Sequence, residues 1–405
     1  MNILMLSSTF PYPPTRGGTQ VRTFNLIKYL QQHHAVTLVT QRSQDIKETE
    51  IKGMEEWVDE LVVFPRPLKT TLKPGVLGKL HRFGNFLQQG IPPGVLTCYS
   101  PEMQTWIDHQ IEAGRFEAIT CEHSVNEIYV RPEFQTCLRK TVVNIHSSIY
   151  GSCRNQLQTG TAEKPFRDRL NLPLLRRYEQ QYCKKFSDLV VTTDEDQHQM
   201  KQLSADSQIH VIPNGVDLEQ FPYRPADPGG YGLIFIGAMD NLANIDAAIF
   251  LSQEIFPSLR RRYPDATLML VGARPTAKIL ALGNSPGITV TGRVPSMAKY
   301  LHEATVCVVP MRTGYGIKNK TLEAMATGIP IVASDRGLEG LTVDEPGGPL
   351  RALRANRPEE FTEAIGRLFD NPDLRLELSG NERALIEQDY TWERAGQQYE
   401  QVLSL

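Results

Sequence analysis

No run of about 18 apolar residues occurs in this chain, so nothing in it reads as a membrane-spanning helix. Cysteine is sparse: the six residues at 98, 121, 137, 153, 183 and 307 form no Cys-x-x-Cys pair. That spacing fits neither a zinc site nor a compact disulfide framework, and reduced thiols are the better reading. The nine histidines form no His-Glu-x-x-His arrangement, so no metal ligand set is expected. His33-His34 reads as a solvated helix-to-strand turn. An excess of positive charge is also missing. A net charge of -3 gives nucleic-acid binding no general electrostatic support. The opening MNILMLSSTF lacks the basic region and long apolar core of a signal peptide and reads as a buried strand. A cytoplasmic location is therefore expected.

What is present is length and alternation. At 405 residues the chain exceeds one ordinary core and suits two domains. Strand patterns at Ile3–Ser7, Ala35–Thr40, Leu61–Phe64, Ala118–Cys121, Thr141–Ile145 and Asp188–Thr192 have room for helices between them, among them Ser100–Glu112 and Leu172–Lys185. That repetition implies α/β architecture with doubly wound parallel sheets. A connector rich in proline and glycine, FPYRPADPGGYG, precedes a second series. Its expected elements are Leu233–Gly237, a single helix Asn244–Tyr263, Thr267–Val271, Ile288–Thr291 and Met297–Glu303, with helices at Pro358–Asp370 and Trp392–Leu405 closing the chain. The domains expected are residues 1–205, residues 206–385 and a terminal helix over 386–405, with Trp392 in the core.

The most informative stretch is residues 304–334, ATVCVVPMRTGYGIKNKTLEAMATGIPIVAS. It reads as strand, glycine loop, helix and strand, so its loop lies at the carboxyl edge of a parallel sheet, where such sheets bind ligands. Free N–H groups at the helix start favour a phosphate. Lys318 and Lys320 add charge-assisted donors, and Glu323 can hold a pair of sugar or ribose hydroxyls. These groups point to a nucleotide-sugar site. Near the amino terminus, PYPPTRGGTQVR places Gly17 and Gly18 at another strand-to-helix junction, where backbone can approach an anion. His146 follows one strand and Glu122-His123 ends another, both at strand ends where a polar residue can face a ligand. Residues 66–82 carry Arg66, Lys69, Lys73, Lys79 and Arg82, and no acid occurs from 61 to 101. Two readings of residues 66–83 stand: a solvated loop and helix, or a basic amphipathic face for anionic lipid or a diphosphate-bearing acceptor.

The segments GGTQVR, IPNGVDLEQF, GYGIKNKTLEAMATGIPIVAS and GLEGL resemble the GT-B glycosyltransferases, specifically the retaining group of family 4. FIGAMDNLANIDAAIFL is similar to sugar transferases of bacterial exopolysaccharide systems. The resemblance spans essentially the whole chain. It implies two Rossmann-like domains facing across a cleft, with acceptor binding in the first and donor binding in the second. The terminal helix would cross back to the first domain.

The activity implied is transfer from a nucleotide-diphosphate sugar to a glycan, lipid-linked or small-molecule acceptor, with retention and without a metal or other cofactor. The residue matching Glu323 binds ribose in the family, backbone matching Thr321–Leu322 lies near the diphosphate, and the Gly17-Gly18 loop closes over it. A histidine matching His146 lies near the donor sugar. Glu122 and His123 are candidates for the acceptor. The family's second glutamate, eight residues before Glu323, is here Tyr315, so backbone from Gly314 through Gly316 to Ile317 is the substitute expected for sugar contact. The first donor-domain loop, beginning at Gly237, lacks the usual Arg and Lys. Lys318 or Lys320 is expected to supply that charge, with Lys318 favoured and, beside His146, named as catalytic. Arg293 is a reserve. The alternatives are a nucleotide-sugar-binding protein without catalysis, which Tyr315 favours, and a GT-B epimerase.

Overall fold

The computed structural model describes residues 1–15, 17–67, 84, 86–88 and 90–404. Apart from Arg66, the cations of the 66–83 segment lie outside the described residues. The chain divides into two compact units, Met1–Ile212 with Ala395–Leu405, and Pro213–Arg394. The first boundary lies beyond 205 because one more strand, Gln208–Val211, pairs in parallel with its predecessor and completes the first sheet. The second lies beyond 385 because the helix Pro372–Asp389 and the bridge from Thr391 to Val216 belong to the second unit.

The first unit is a seven-stranded sheet of β1 (Asn2–Ser7), β2 (Ala35–Arg42), β3 (Glu60–Pro65), β4 (Ala118–Glu122), β5 (Lys140–Asn144), β6 (Asp188–Val191) and β7 (Gln208–Val211). Every pairing is parallel, in the order β3-β2-β1-β4-β5-β6-β7. Parallel strands covered on both faces read as unbroken apolar runs, and Ile3 through Leu6 of β1 have no exposed surface. The second unit holds β8 (Gly232–Ile236), β9 (Thr267–Val271), β10 (Ile288–Gly292), β11 (Val306–Val309), β12 (Ile331–Ala333) and β13 (Leu353–Arg354), also all parallel, ordered β10-β9-β8-β11-β12-β13. Strand order reverses between β1 and β4 and between β8 and β11. Each reversal opens a crevice at the carboxyl ends of the strands.

The helices that bear on function are α1 (Gly18–Leu30), α2 (Ile149–Gln158), α3 (Pro165–Cys183), α4 (Leu242–Phe250), α5 (Asn319–Thr327) and α6 (Trp392–Ser404). The helix expected over 172–185 starts earlier, at Pro165, where a first-turn proline is tolerated because its N–H has no partner to lose. The single helix expected over 244–263 is instead α4, a π-helical turn Leu251–Ile255, and a helix Phe256–Arg262. Pro257 has no N–H to donate four residues back, and the wider turn absorbs the interruption.

From Ala395 onward, α6 belongs to the amino-terminal unit. Gly396 makes this possible: a Cβ there would come within 2.2 Å of the Tyr29 ring. Glu400 anchors the helix, accepting from Tyr29 Oη at 3.1 Å and meeting His34 Nε2 at 2.7 Å. His34 is thus a partner of the terminal helix rather than a solvated turn residue. Trp392 is half-buried rather than a core residue.

Candidate functional site

In the carboxyl-terminal unit the loops after β8 and β11 meet at the strand-order reversal. Gly314 (φ 119°) and Gly316 (φ 67°) turn the chain where side chains with a Cβ are strained. Lys318 then takes the N-cap position of α5 with extended backbone and no side-chain cap. Gly328, left-handed at φ 72°, ends the helix in the manner glycine favours. Thr321 Oγ1 donates to the Gly337 carbonyl at 2.8 Å, pinning α5 to the segment after β12.

The two lysines of the motif have different fates. Lys318 is buried, and its Nζ donates to Glu339 Oε2 at 2.9 Å and to the Gly316 carbonyl. Arg336 pairs with the same carboxylate. Lys320 reaches the other way, over the Phe235 ring at 5.2 Å, and donates to Asn244 Oδ1 of α4. Gly237 leaves room for that reach. A Cβ there would lie 3.2 Å from Lys320 Cε and 2.8 Å from Asn244 Nδ2, on backbone at φ 153°. The loop after β8, short of cations in its own sequence, receives one from α5.

Lys320 and Glu323 are half-buried. Burial, reinforced by Lys318, pulls the Lys320 ammonium down to about 8, with Glu323 opposing. Burial pushes the Glu323 carboxyl up to about 7, with Lys320 opposing. Among the described residues none hydrogen-bonds or ion-pairs with the Glu323 carboxylate, so its acceptors are available. The N–H groups of Thr321 and Leu322 donate to the Lys318 carbonyl at 2.9 and 3.3 Å. The first-turn N–H groups of Asn319 and Lys320 are therefore the donors that α5 presents.

Ile317 and Leu322 turn their side chains into the core, leaving only backbone for a ligand. Tyr315 is half-buried in the loop between the two glycines. Arg293 is exposed after β10, an edge strand two places from β8. Two groups at this site escaped the sequence reading. Glu339 lies in the GLEGL segment, and Asn214, in the IPNGVDLEQF segment, donates to Asn319 Oδ1 at 2.7 Å.

In the amino-terminal unit, Gly17 and Gly18 are exposed at the start of α1. Glu122, the last residue of β4, has no exposed surface. Its carboxylate accepts from Asn144 Nδ2 at 2.9 Å, Tyr399 Oη at 2.9 Å and Thr120 Oγ1 at 3.0 Å, and lies 3.5 Å from His146 Nε2. Burial alone would raise its pKa, but His146, Tyr399 and Arg22 together hold it below the ordinary carboxylate value. Arg22, buried on α1, donates from Nε to Asn144 Oδ1 at 3.0 Å. Burial draws its guanidinium down to about 10, against the pull of Glu122.

This geometry makes Glu122 an interior anchor for His146 and α6, not a group that touches an acceptor. Burial lowers the pKa of His146 below its ordinary value, against the pull of Glu122. His123 packs edge-on against it, 5.5 Å between ring centres, and burial drives His123 to about 3. Arg22, in the segment GGTQVR, stands one turn into a glycine-led helix, and that position is its signal in the sequence.

Among the described residues no group of three or more His, Cys, Asp or Glu could hold a metal ion. The Asp194-Glu195-Asp196 triplet opens the helix Asp194–Leu203, where acids suit the helix dipole, and Asp196 accepts from Thr192 Oγ1 at 3.2 Å. Among the described residues no helix is long and apolar enough to cross a membrane.

Comparison with known proteins agrees with this architecture. The family profile described as Glycosyltransferase Family 4 matches residues 16–220, and that described as Glycosyl transferases group 1 matches residues 230–371. D-inositol 3-phosphate glycosyltransferase of Nocardiopsis dassonvillei is 29% identical over 228 residues, covering 50% of this chain and 52% of that protein. The chain thus spans about half the length of the curated relatives it matches. Among solved structures, sucrose-phosphate synthase from Thermosynechococcus elongatus superposes with a TM-score of 0.72 at 18% identity, covering 100% of this chain and 98% of the other. Anabaena HepE in complex with UDP-glucose superposes with a TM-score of 0.64 at 16% identity, covering 100% and 99%. At these identities the likeness is one of fold, and the fold is GT-B.

Proposed function

Because this chain belongs to glycosyltransferase family 4, we propose that it transfers a sugar from a nucleotide-diphosphate donor to a glycan, lipid-linked or small-molecule acceptor. The observation that carries the proposal is the β8/β11 crevice. There an available carboxylate, Glu323, stands one turn into α5 from the N–H groups of Asn319 and Lys320 and beside the Lys320 ammonium. A carboxylate accepts from two adjacent ribose hydroxyls, while the helix start and the ammonium accommodate a diphosphate.

In this reading Lys320 is the principal phosphate cation. Lys318 acts through the loop it holds, by way of Gly316. Departure of the leaving group adds negative charge to the diphosphate, and fixed donors aimed there stabilise the transition state more than the ground state. Retention follows from attack on the face the diphosphate leaves, the departing phosphate oxygen taking the proton of the acceptor hydroxyl. Tyr315 and the backbone of Gly314–Ile317 are assigned to the sugar. The amino-terminal unit is assigned to the acceptor. Metal independence belongs to the same reading.

The family match and a solved neighbour that holds UDP-glucose support this assignment. Incubation with a panel of nucleotide-diphosphate sugars, with chelator throughout, tests it by the nucleotide released and the anomeric proton signal of the product. Donor-dependent release with an axial product from an axial donor is expected. Donor binding without release to any acceptor would instead indicate a sensor.

A further inference from the structure

Helices α2 and α3 follow β5 and pack against each other as a hairpin. Glu179, in the last turns of α3, accepts from Ser148 Oγ at 2.6 Å and from the N–H groups of Ile149 and Tyr150 at 2.7 and 3.2 Å. These contacts place Glu179 level with the strand end that precedes His146. The earlier turns of α3 lie beside α2, where Cys153 Sγ donates to the Asp168 carbonyl at 3.7 Å. Thirteen residues separate Glu179 from Phe166, a distance of about 20 Å along a helix.

The two faces of α3 differ sharply. Asp168, Leu175, Tyr178, Glu179 and Tyr182 are buried on one. Phe166 and Leu170, one turn apart on the other, are 77% and 53% exposed. Arg169, Arg176 and Arg177 share that outward face and are exposed. Asp168 and Glu179 are the only acids of α3, and both are buried, so the outward face carries no carboxylate. Over residues 149–177 the basic residues number six and the acidic ones two. One of those two, Asp168, pairs with Arg167; the other is Glu163 in the preceding loop.

We propose that the outward face of α3 docks on an anionic lipid surface. Phe166 and Leu170 enter the headgroup region, and Arg169, Arg176 and Arg177 meet lipid phosphates. Apolar residues flanked by arginines on a helix lying in the interface is the arrangement such binding uses. A second copy of this chain does not fit the face, since a two-fold contact would set arginines against arginines. The docked hairpin would hold the β5 carboxyl end within about 20 Å of the bilayer, which suits a lipid-linked acceptor. That last step rests on the proposed function, whereas docking itself does not.

Co-sedimentation of the full chain with phosphatidylcholine vesicles, with and without phosphatidylglycerol, tests the proposal. Binding is expected only to the anionic vesicles and is weakened by salt. Replacing Arg169, Arg176 and Arg177 by Gln should cost roughly a hundredfold in apparent affinity. Phe166→Ser with Leu170→Ser, which leaves charge unchanged, should cost roughly tenfold. Wild-type protein that ignores anionic vesicles, or variants that bind as wild type does, would overturn it. Circular dichroism and donor-induced thermal shift on the same samples show that the variants are folded. They also separate failure of docking from failure of donor binding, because vesicle binding requires no donor.

Discussion

The Lys320 ammonium donates to Asn244 Oδ1 across the reversal between β8 and β11, while Lys318, two residues earlier, is consumed by Glu339 at 2.9 Å. The two substitutions should therefore separate. Lys320→Ala is expected to weaken nucleotide-sugar affinity roughly 10- to 100-fold, the scale of one charge-assisted hydrogen bond, with little change in melting temperature. Lys318→Ala leaves a buried carboxylate with Arg336 alone and should cost about 3 kcal/mol of stability. Calorimetric titration beside urea unfolding distinguishes the two effects; equal losses of affinity with no loss of stability would contradict the division.

Donor affinity should pass through a maximum with pH. Binding needs Glu323 ionised and Lys320 protonated. With Glu323 raised to about 7 and Lys320 lowered to about 8, affinity rises as pH climbs through the first value and falls beyond the second. Glu323→Gln removes the acid limb and keeps the alkaline one. A flat profile in the wild-type protein would disprove the assignment.

Gly237 is expected to accept no side chain. Its φ of 153° and the 2.8 Å and 3.2 Å approaches to Asn244 Nδ2 and Lys320 Cε leave a Cβ no space. Gly237→Val should displace the ammonium, lowering donor affinity roughly tenfold or more. A crystal structure of that variant with Lys320 unmoved would count against the role given to this glycine.

The network around Glu122 makes a separate prediction about stability. The carboxylate is held below its ordinary pKa, so its stabilisation is present above the unfolded value and lost as pH falls through the folded one. Glu122→Gln should flatten the acid side of the stability curve. Glu122→Ala should cost about 3–5 kcal/mol, because Asn144, Tyr399 and Thr120 would lose their common acceptor in the interior. Unfolding curves across the acid range that show no difference between wild type and Glu122→Gln would refute the linkage.

Much of the fold was legible because parallel strands buried on both faces appear as apolar runs, as in Ile3–Leu6 and Val306–Val309. The motif loop was equally plain, since Gly314, Gly316 and Gly328 mark turns that only their conformations permit. Side-chain direction was not legible. Spacing alone cannot tell that Lys318 turns back to Glu339, 21 residues on, while Lys320 crosses to α4. Nor could it tell that Glu122, which ends a strand like many ligand-facing residues, turns inward to Tyr399. That partner lies on a helix 277 residues away, and only the return of α6 brings it there. The break in the helix after Phe250 was hidden because Pro257 disrupts hydrogen bonding one turn before its own position.

The role of Glu323 in holding the nucleotide of a nucleotide-diphosphate sugar is tested most directly by equilibrium binding of such donors to wild-type protein and Glu323→Ala. Titration calorimetry over a panel differing in base and sugar should find at least one donor that binds the wild type and binds the variant roughly tenfold or more weakly, as losing hydrogen bonds to a charged group requires. The variant should keep its melting temperature. Undiminished affinity in Glu323→Ala, or no binding of any nucleotide-diphosphate sugar to the wild type, would contradict it.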